Sequence, residues 1–149
     1  MFNGILDLHN LVRWLVLVAG IYAIFKAVSG LTGNKTWEKS DKIAGSIFAG
    51  MIDLQLLIGF GLYFMSPIVK AALANMSAAM KDPVQRQFAV EHISIMIIAA
   101  VLAHLGSIMA KKASTDSGKF RMAAIFYSLA MLTILYGIPW SRTLIPGIR

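Results

Sequence analysis

The chain has 149 residues, of which 58% are hydrophobic and only 14% charged, with a mean hydropathy of +0.71. That balance excludes an ordinary soluble globule and points to one integral membrane domain. The absence of cysteine removes disulfide frameworks, cysteine zinc sites, iron–sulfur clusters, thiol nucleophiles and Cys-x-x-Cys-His haem attachment together. The formal charge of +7 reads as membrane topology and anionic-lipid contact, and no nucleic-acid partner is expected.

Four windows are long and apolar enough to span a bilayer, which takes about 20 residues each. The first covers about 6–28, with Asp7, His9 and Arg13 in its opening turns. Its acidic start and lack of a small-residue cleavage site argue for a retained helix rather than a signal peptide. The second covers about 43–65 and carries Asp53 and Gln55 inside. Between 67 and 81 the spacing predicts an amphipathic interfacial helix, capped by Ser66, started by Pro67 and ended by Asp82-Pro83. Val69, Ala72, Leu73, Met76 and Met80 form its apolar stripe, so it is either a lid over the bundle or a connector resting on lipid. The third span covers about 88–110 with His104 inside, and the fourth, about 122–140, is free of charge. The expected fold is therefore all-α, a membrane four-helix bundle with one interfacial helix.

Lys26, Lys35, Lys39 and Lys42 flank the first loop, and Lys111, Lys112, Lys119 and Arg121 the third. Six cations, Arg13, Lys70, Lys81, Arg86, Arg142 and Arg149, are spread over three segments on the other side. The positive-inside rule then puts loops one and three in the cytoplasm of a bacterial inner membrane and both termini in the periplasm.

Ionisable residues inside spans are site candidates by default. His9 and His92 lie about equally deep on helices one and three. Two imidazoles at one depth can hold a haem iron from both faces, with Arg13 beside a propionate, Glu91 next to the ligand, and Trp14, Phe88 and Met96 as apolar wall. The competing reading has both histidines capping helix ends in the wet interface, bonded to Glu91 or Asp7, and another metal or ligand is a third. Deeper, Asp53 and His104 differ in height by about 6 Å at 1.5 Å per residue, close enough to bridge. They could relay protons or bind a quinone carbonyl, with Gln55, Ser107 or Tyr22 as partners, or simply join two helices by a hydrogen bond. Gly45, Gly50, Gly59 and Gly61 read as packing positions. Nine methionines without a cluster read as gap fillers rather than a copper path. Trp37, Trp140, Tyr63 and Tyr136 read as interfacial anchors.

The stretch Leu8-His9-Asn10-Leu11-Val12-Arg13-Trp14, Gln55-Leu56-Leu57-Ile58-Gly59, Ser66-Pro67, AALANMSAAMKD from Ala71 to Asp82, Glu91-His92 and the basic KKASTDSGKFR before Ile138-Pro139-Trp140 form a set. Together they resemble the small four-span cytochrome b-like membrane proteins of Bacteroidetes and relatives, over nearly the whole chain. The resemblance implies a b-type haem and electron transfer, in which the haem iron passes single electrons. This chain departs from that pattern with Asp53 where members often carry His, and Ile93 where they often carry Pro. If the helix-two His is a family ligand, this chain lacks it. The rival to a haem protein is a cofactor-free accessory subunit of a larger respiratory, photosynthetic or transport complex, for which the short loops argue. A proton-coupled carrier using Asp53 and His104 would need broken helices or repeats, which the sequence does not display. No residue set specifies a bond-making reaction, so the enzyme question stays open.

Overall fold

The computed structural model describes residues 1–142 and 144–147; Arg149, counted above for topology, lies outside the described residues. Four long helices carry the architecture: α1 (Phe2–Thr32), α2 (Lys39–Met65), α6 (His92–Lys112) and α7 (Asp116–Gly137). Between α2 and α6 lie three short ones, α3 (Pro67–Ala74), α4 (Met76–Ala79) and α5 (Pro83–Arg86), and a π-helical stretch, Gln87–Glu91. The four long segments are apolar enough to cross a membrane, the third counted as Pro83–Lys112. The protein is thus an all-α, multi-pass membrane bundle.

Local chemistry sets the helix ends. Glu38 and Asp41 form a reciprocal capping box at the start of α2, Thr115 accepts from the Gly118 amide at the start of α7, and Ser66 caps α3 ahead of Pro67. Each arrangement satisfies amides that a first turn leaves without partners. The interfacial segment is not one helix over 67–81. Asn75 leaves helical geometry at φ −147° and its side chain caps the Ala78 amide, splitting the segment into α3 and α4. The competition of a short amide side chain with the backbone explains the break. Val69 and Ala72 face the bundle, whereas Leu73, Met76 and Met80 of the expected stripe are exposed.

Helix α1 packs against α2 and α7, and α6 against α7 and α2, so α1 and α6 face one another diagonally. Small residues line the seams: Ala23, Ala27, Ala44, Ala99, Ala103, Ala123 and Ala130 are all nearly inaccessible. Close backbone approach is what helices use in lipid, where no hydrophobic drive separates them from the solvent. Tyr127 fills a slot opposite Gly45 and Gly106, where an added Cβ would overlap its ring or hydroxyl. The outer surface is apolar instead: Phe25, Leu57, Phe64 and Leu132 are each more than 60% exposed. In water such a continuous surface would drive association; in a bilayer it is the solvated face.

One end of the bundle collects the first and third loops with their lysines. Lys26 of α1 bonds Asp41 at 3.1 Å and Ser40 at 2.9 Å, tying α1 to the start of α2. The other end holds the N-terminus of α1, the short helices and the segment after α7.

Candidate functional site

His9 and His92 project from the diagonal helices to one level, with ring centroids 6.3 Å apart and planes inclined at 69°. Each ring has its own setting. His92 Nδ1 lies 2.8 Å from the Gly137 carbonyl at the end of α7. That bond puts the proton on Nδ1 and leaves Nε2 as the free lone pair. The π-helical turn that closes with the His92 amide bonding the Gln87 carbonyl sets the phase at which His92 leaves its helix. Tyr63 of α2 donates to the Ala89 carbonyl inside that turn at 3.0 Å.

On α1, Gln55 Nε2 donates to the His9 carbonyl at 2.9 Å, which fixes backbone rather than ring. Among the described residues His9 Nδ1 is buried without a hydrogen-bond partner, and so are Arg13 Nε and Gln55 Oε1. A Cβ on Gly59 would stand 3.4 Å from His9 Cε1, so the glycine gives the imidazole its room against α2. Arg13 is 7% exposed. It donates to Asn10 Oδ1 at 3.0 Å and to the Leu144 carbonyl at 2.7 Å. Neither acceptor carries a charge, and a buried guanidinium normally has an anion beside it.

The donor set tests the haem expectation. Among the described residues no group of three or more His, Asp or Glu is placed to hold a metal ion by side chains alone. A porphyrin supplies four nitrogens and asks the protein for two axial ligands. Two imidazoles 6.3 Å apart between centroids, the buried His9 Nδ1 and the buried Arg13 guanidinium are the groups that would hold it.

The remaining expected residues fall differently. Glu91 is turned away, its carboxylate paired with Arg86 at 2.7 Å near the surface. Trp14 is 42% exposed, its indole donating to the Leu144 carbonyl, and Phe88 presents its face to the Arg142 guanidinium at 4.4 Å. Of the three expected wall residues only Met96 packs against the core. The segment after α7 folds back across the start of α1, and this local return is what draws Trp14 and Arg13 to its carbonyl.

Asp53 and His104 do meet: His104 Nε2 lies 2.9 and 3.1 Å from the two carboxylate oxygens. The expectation of a buried pair is corrected, since the side chains are 48% and 50% exposed. They sit on the outer seam of α2 and α6, among the exposed Leu57, Val101 and Leu105. Their expected partners are engaged elsewhere. Gln55 serves His9, Ser107 bonds the Tyr127 hydroxyl at 3.0 Å, and Tyr22 lines a separate polar cleft beside the first loop. A charge at mid-bilayer costs about 2.5–3.5 kcal/mol on insertion scales, while an interhelical hydrogen bond contributes about 0.6–1.7 kcal/mol. The pair is therefore more polar surface than packing alone requires.

On the basic side of that pair a cleft of about 360 Å³ opens between α2, α6 and α7, lined by Ser46, His104, Ser107 and Tyr127, with Lys42, Lys111 and Lys119 towards the loops. Of the four α2 glycines read as packing positions, Gly45 and Gly59 make contacts, but a Cβ on Gly50 or Gly61 would meet nothing within 4 Å. The π-turn, the Gly137 carbonyl and the Gln55 anchor were not foreseen, and of these only Gln55, as an interior amide, left a trace in the sequence.

No protein-family model matches the chain, and no curated protein or solved structure matches it either.

Proposed function

We propose that this protein is a b-type cytochrome-like electron carrier of the bacterial inner membrane, holding one haem b between His9 and His92. The observation that supports it is the 6.3 Å separation of two imidazoles on diagonal helices, one of them oriented by the Gly137 carbonyl. A haem held by these two histidines would supply one-electron transfer.

The chain's own groups perform the rest. His92 keeps its proton on Nδ1 against the Gly137 carbonyl, which leaves Nε2 with its lone pair. Gln55 anchors the backbone at His9, and Gly59 leaves the ring its space. Arg13 supplies a buried positive charge for a propionate. The apolar exterior keeps water from the site. The eight cations of loops one and three favour a cytoplasmic position for that end, which would set the two histidines near the periplasmic face. A lipid-soluble quinone is the natural exchange partner for a carrier whose surface is almost wholly in lipid.

The test is a visible spectrum of detergent-purified protein before and after dithionite. A sharp reduced α-band, lost in both His9→Ala and His92→Ala while the variants still elute as folded bundles, is expected. A colourless preparation after haem supplementation during expression would instead favour a cofactor-free accessory subunit of a larger membrane complex.

A further inference from the structure

The Asp53–His104 pair poses a problem that the haem level does not absorb. It lies roughly 9 Å from Gly59 along α2 and roughly 18 Å from His92 along α6, at 1.5 Å per residue. Half of each side chain is accessible in the middle of an apolar exterior. Two features connect it with the neighbouring cleft. His104 itself lines the cleft. On α2, Lys42, Ser46, Gly50 and Asp53 recur at three- and four-residue steps and so share one face. Gly50 stands between the cleft residue Ser46 and Asp53, and its missing side chain leaves open space there.

We propose that this cleft, continued past Gly50 to the Asp53–His104 pair, binds the ring of a lipid-soluble quinone or its hydroquinone. The carboxylate accepts from Nε2–H of His104, which leaves Nδ1 to accept from a phenolic hydroxyl, or to donate to a ring carbonyl when the imidazole is protonated. Ser107 and Tyr127 place a further hydroxyl pair in the same cleft. A cleft of this volume lies within the range of small-molecule sites. The isoprenoid tail would leave between α2 and α6 beside Leu57 and Val101. An anionic lipid head would meet Lys42, Lys111 and Lys119 only at the loop end of the cleft, roughly 10–16 Å along the helices from the pair at 1.5 Å per residue, and Asp53 repels it at the inner end.

The site would serve the exchange partner of the electron-transfer reading, but binding is measurable in protein purified without haem, which separates the two failures. Trp37 lines the cleft. In a background of Trp14→Phe and Trp140→Phe it is the only indole, and its fluorescence is followed while decylubiquinone or 2-methyl-1,4-naphthoquinone is titrated in. Saturable quenching is expected. It should weaken at least tenfold in Gly50→Leu and in His104→Leu, and stay unchanged in Gly61→Leu, whose open position lies three turns from Gly50. Quenching that rises linearly without saturation in every protein would mean simple partition into detergent and would overturn the site. So would saturation that Gly50→Leu and His104→Leu leave intact, or an equal loss in Gly61→Leu. A cross-linked dimer that Gly50→Leu dissociates would show that a second copy of the chain covers the pair, and would also overturn it.

Discussion

Gly45 and Gly50 lie five residues apart on α2, and the same substitution at each should move stability in opposite directions. A Cβ at Gly45 meets the Tyr127 hydroxyl and then its ring, whereas one at Gly50 meets nothing within 4 Å. Tyr127 cannot simply turn aside. It is 2% exposed, stacks edge-on against Phe48 at 5.8 Å and bonds Ser107 at 3.0 Å. Overpacking a tight core costs about 1–3 kcal/mol, and replacing glycine within a helix returns about 0.5–1 kcal/mol. Gly45→Ala should therefore lose on the order of 1–2 kcal/mol net, while Gly50→Ala gains about 0.5–1 kcal/mol from backbone propensity alone. The gap of roughly 2 kcal/mol is measurable by titrating mixed micelles with dodecyl sulfate and following helical circular dichroism. Tyr127→Phe in the Gly45→Ala background should recover part of the loss, because it removes the atom the new methyl meets first. Equal midpoints for the two alanine variants would refute the account of how α2 approaches α7.

Two further outcomes follow from the end of the bundle that holds the short helices. Asp82 accepts from the Val84 and Gln85 amides at 2.9 and 3.0 Å, and the Gln85 amide chiefly holds its carboxyl below the usual range. The folded form then takes up its proton less readily than the unfolded one, so this cap contributes above about pH 4 and is lost as pH falls through the lowered value. Protection factors of the Val84–Gln87 amides, corrected for the intrinsic pH dependence of exchange, should fall on acidification, and Asp82→Asn should flatten that dependence; an identical pH profile in the variant would contradict it. Arg13→Gln should release the segment after α7, since Arg13 and Trp14 both donate to the Leu144 carbonyl. Faster proteolysis after Trp140 is expected, with the four long helices still intact, and unchanged cleavage would show that the return is held by other contacts.

Much of the architecture was legible from composition because a bilayer imposes simple lengths. Apolar windows of about 20 residues became α1, α2, α6 and α7, with ends displaced by a turn or more where caps such as Glu38–Asp41 and Thr115 begin the helices earlier. The equal depth of His9 and His92 could be counted along the chain, and so could the reach between Asp53 and His104. Rise per residue is a property of any helix, so height needs no coordinates.

Rotation about each helix axis was a different matter, because it depends on which neighbours pack where. Only the tertiary structure decided that α1 and α6 stand diagonally, that a π-turn phases His92 towards Gly137, and that Asp53 and His104 meet on the lipid face rather than in the core. It also separated glycines of one helix by role: Gly45 receives Tyr127 and Gly59 receives His9, while Gly50 opens onto unfilled space. In a membrane chain both the interior and the exterior are apolar, so hydrophobic periodicity carries little information about facing. The sequence alone settled where each group lies along the bundle, and packing settled what each group looks at.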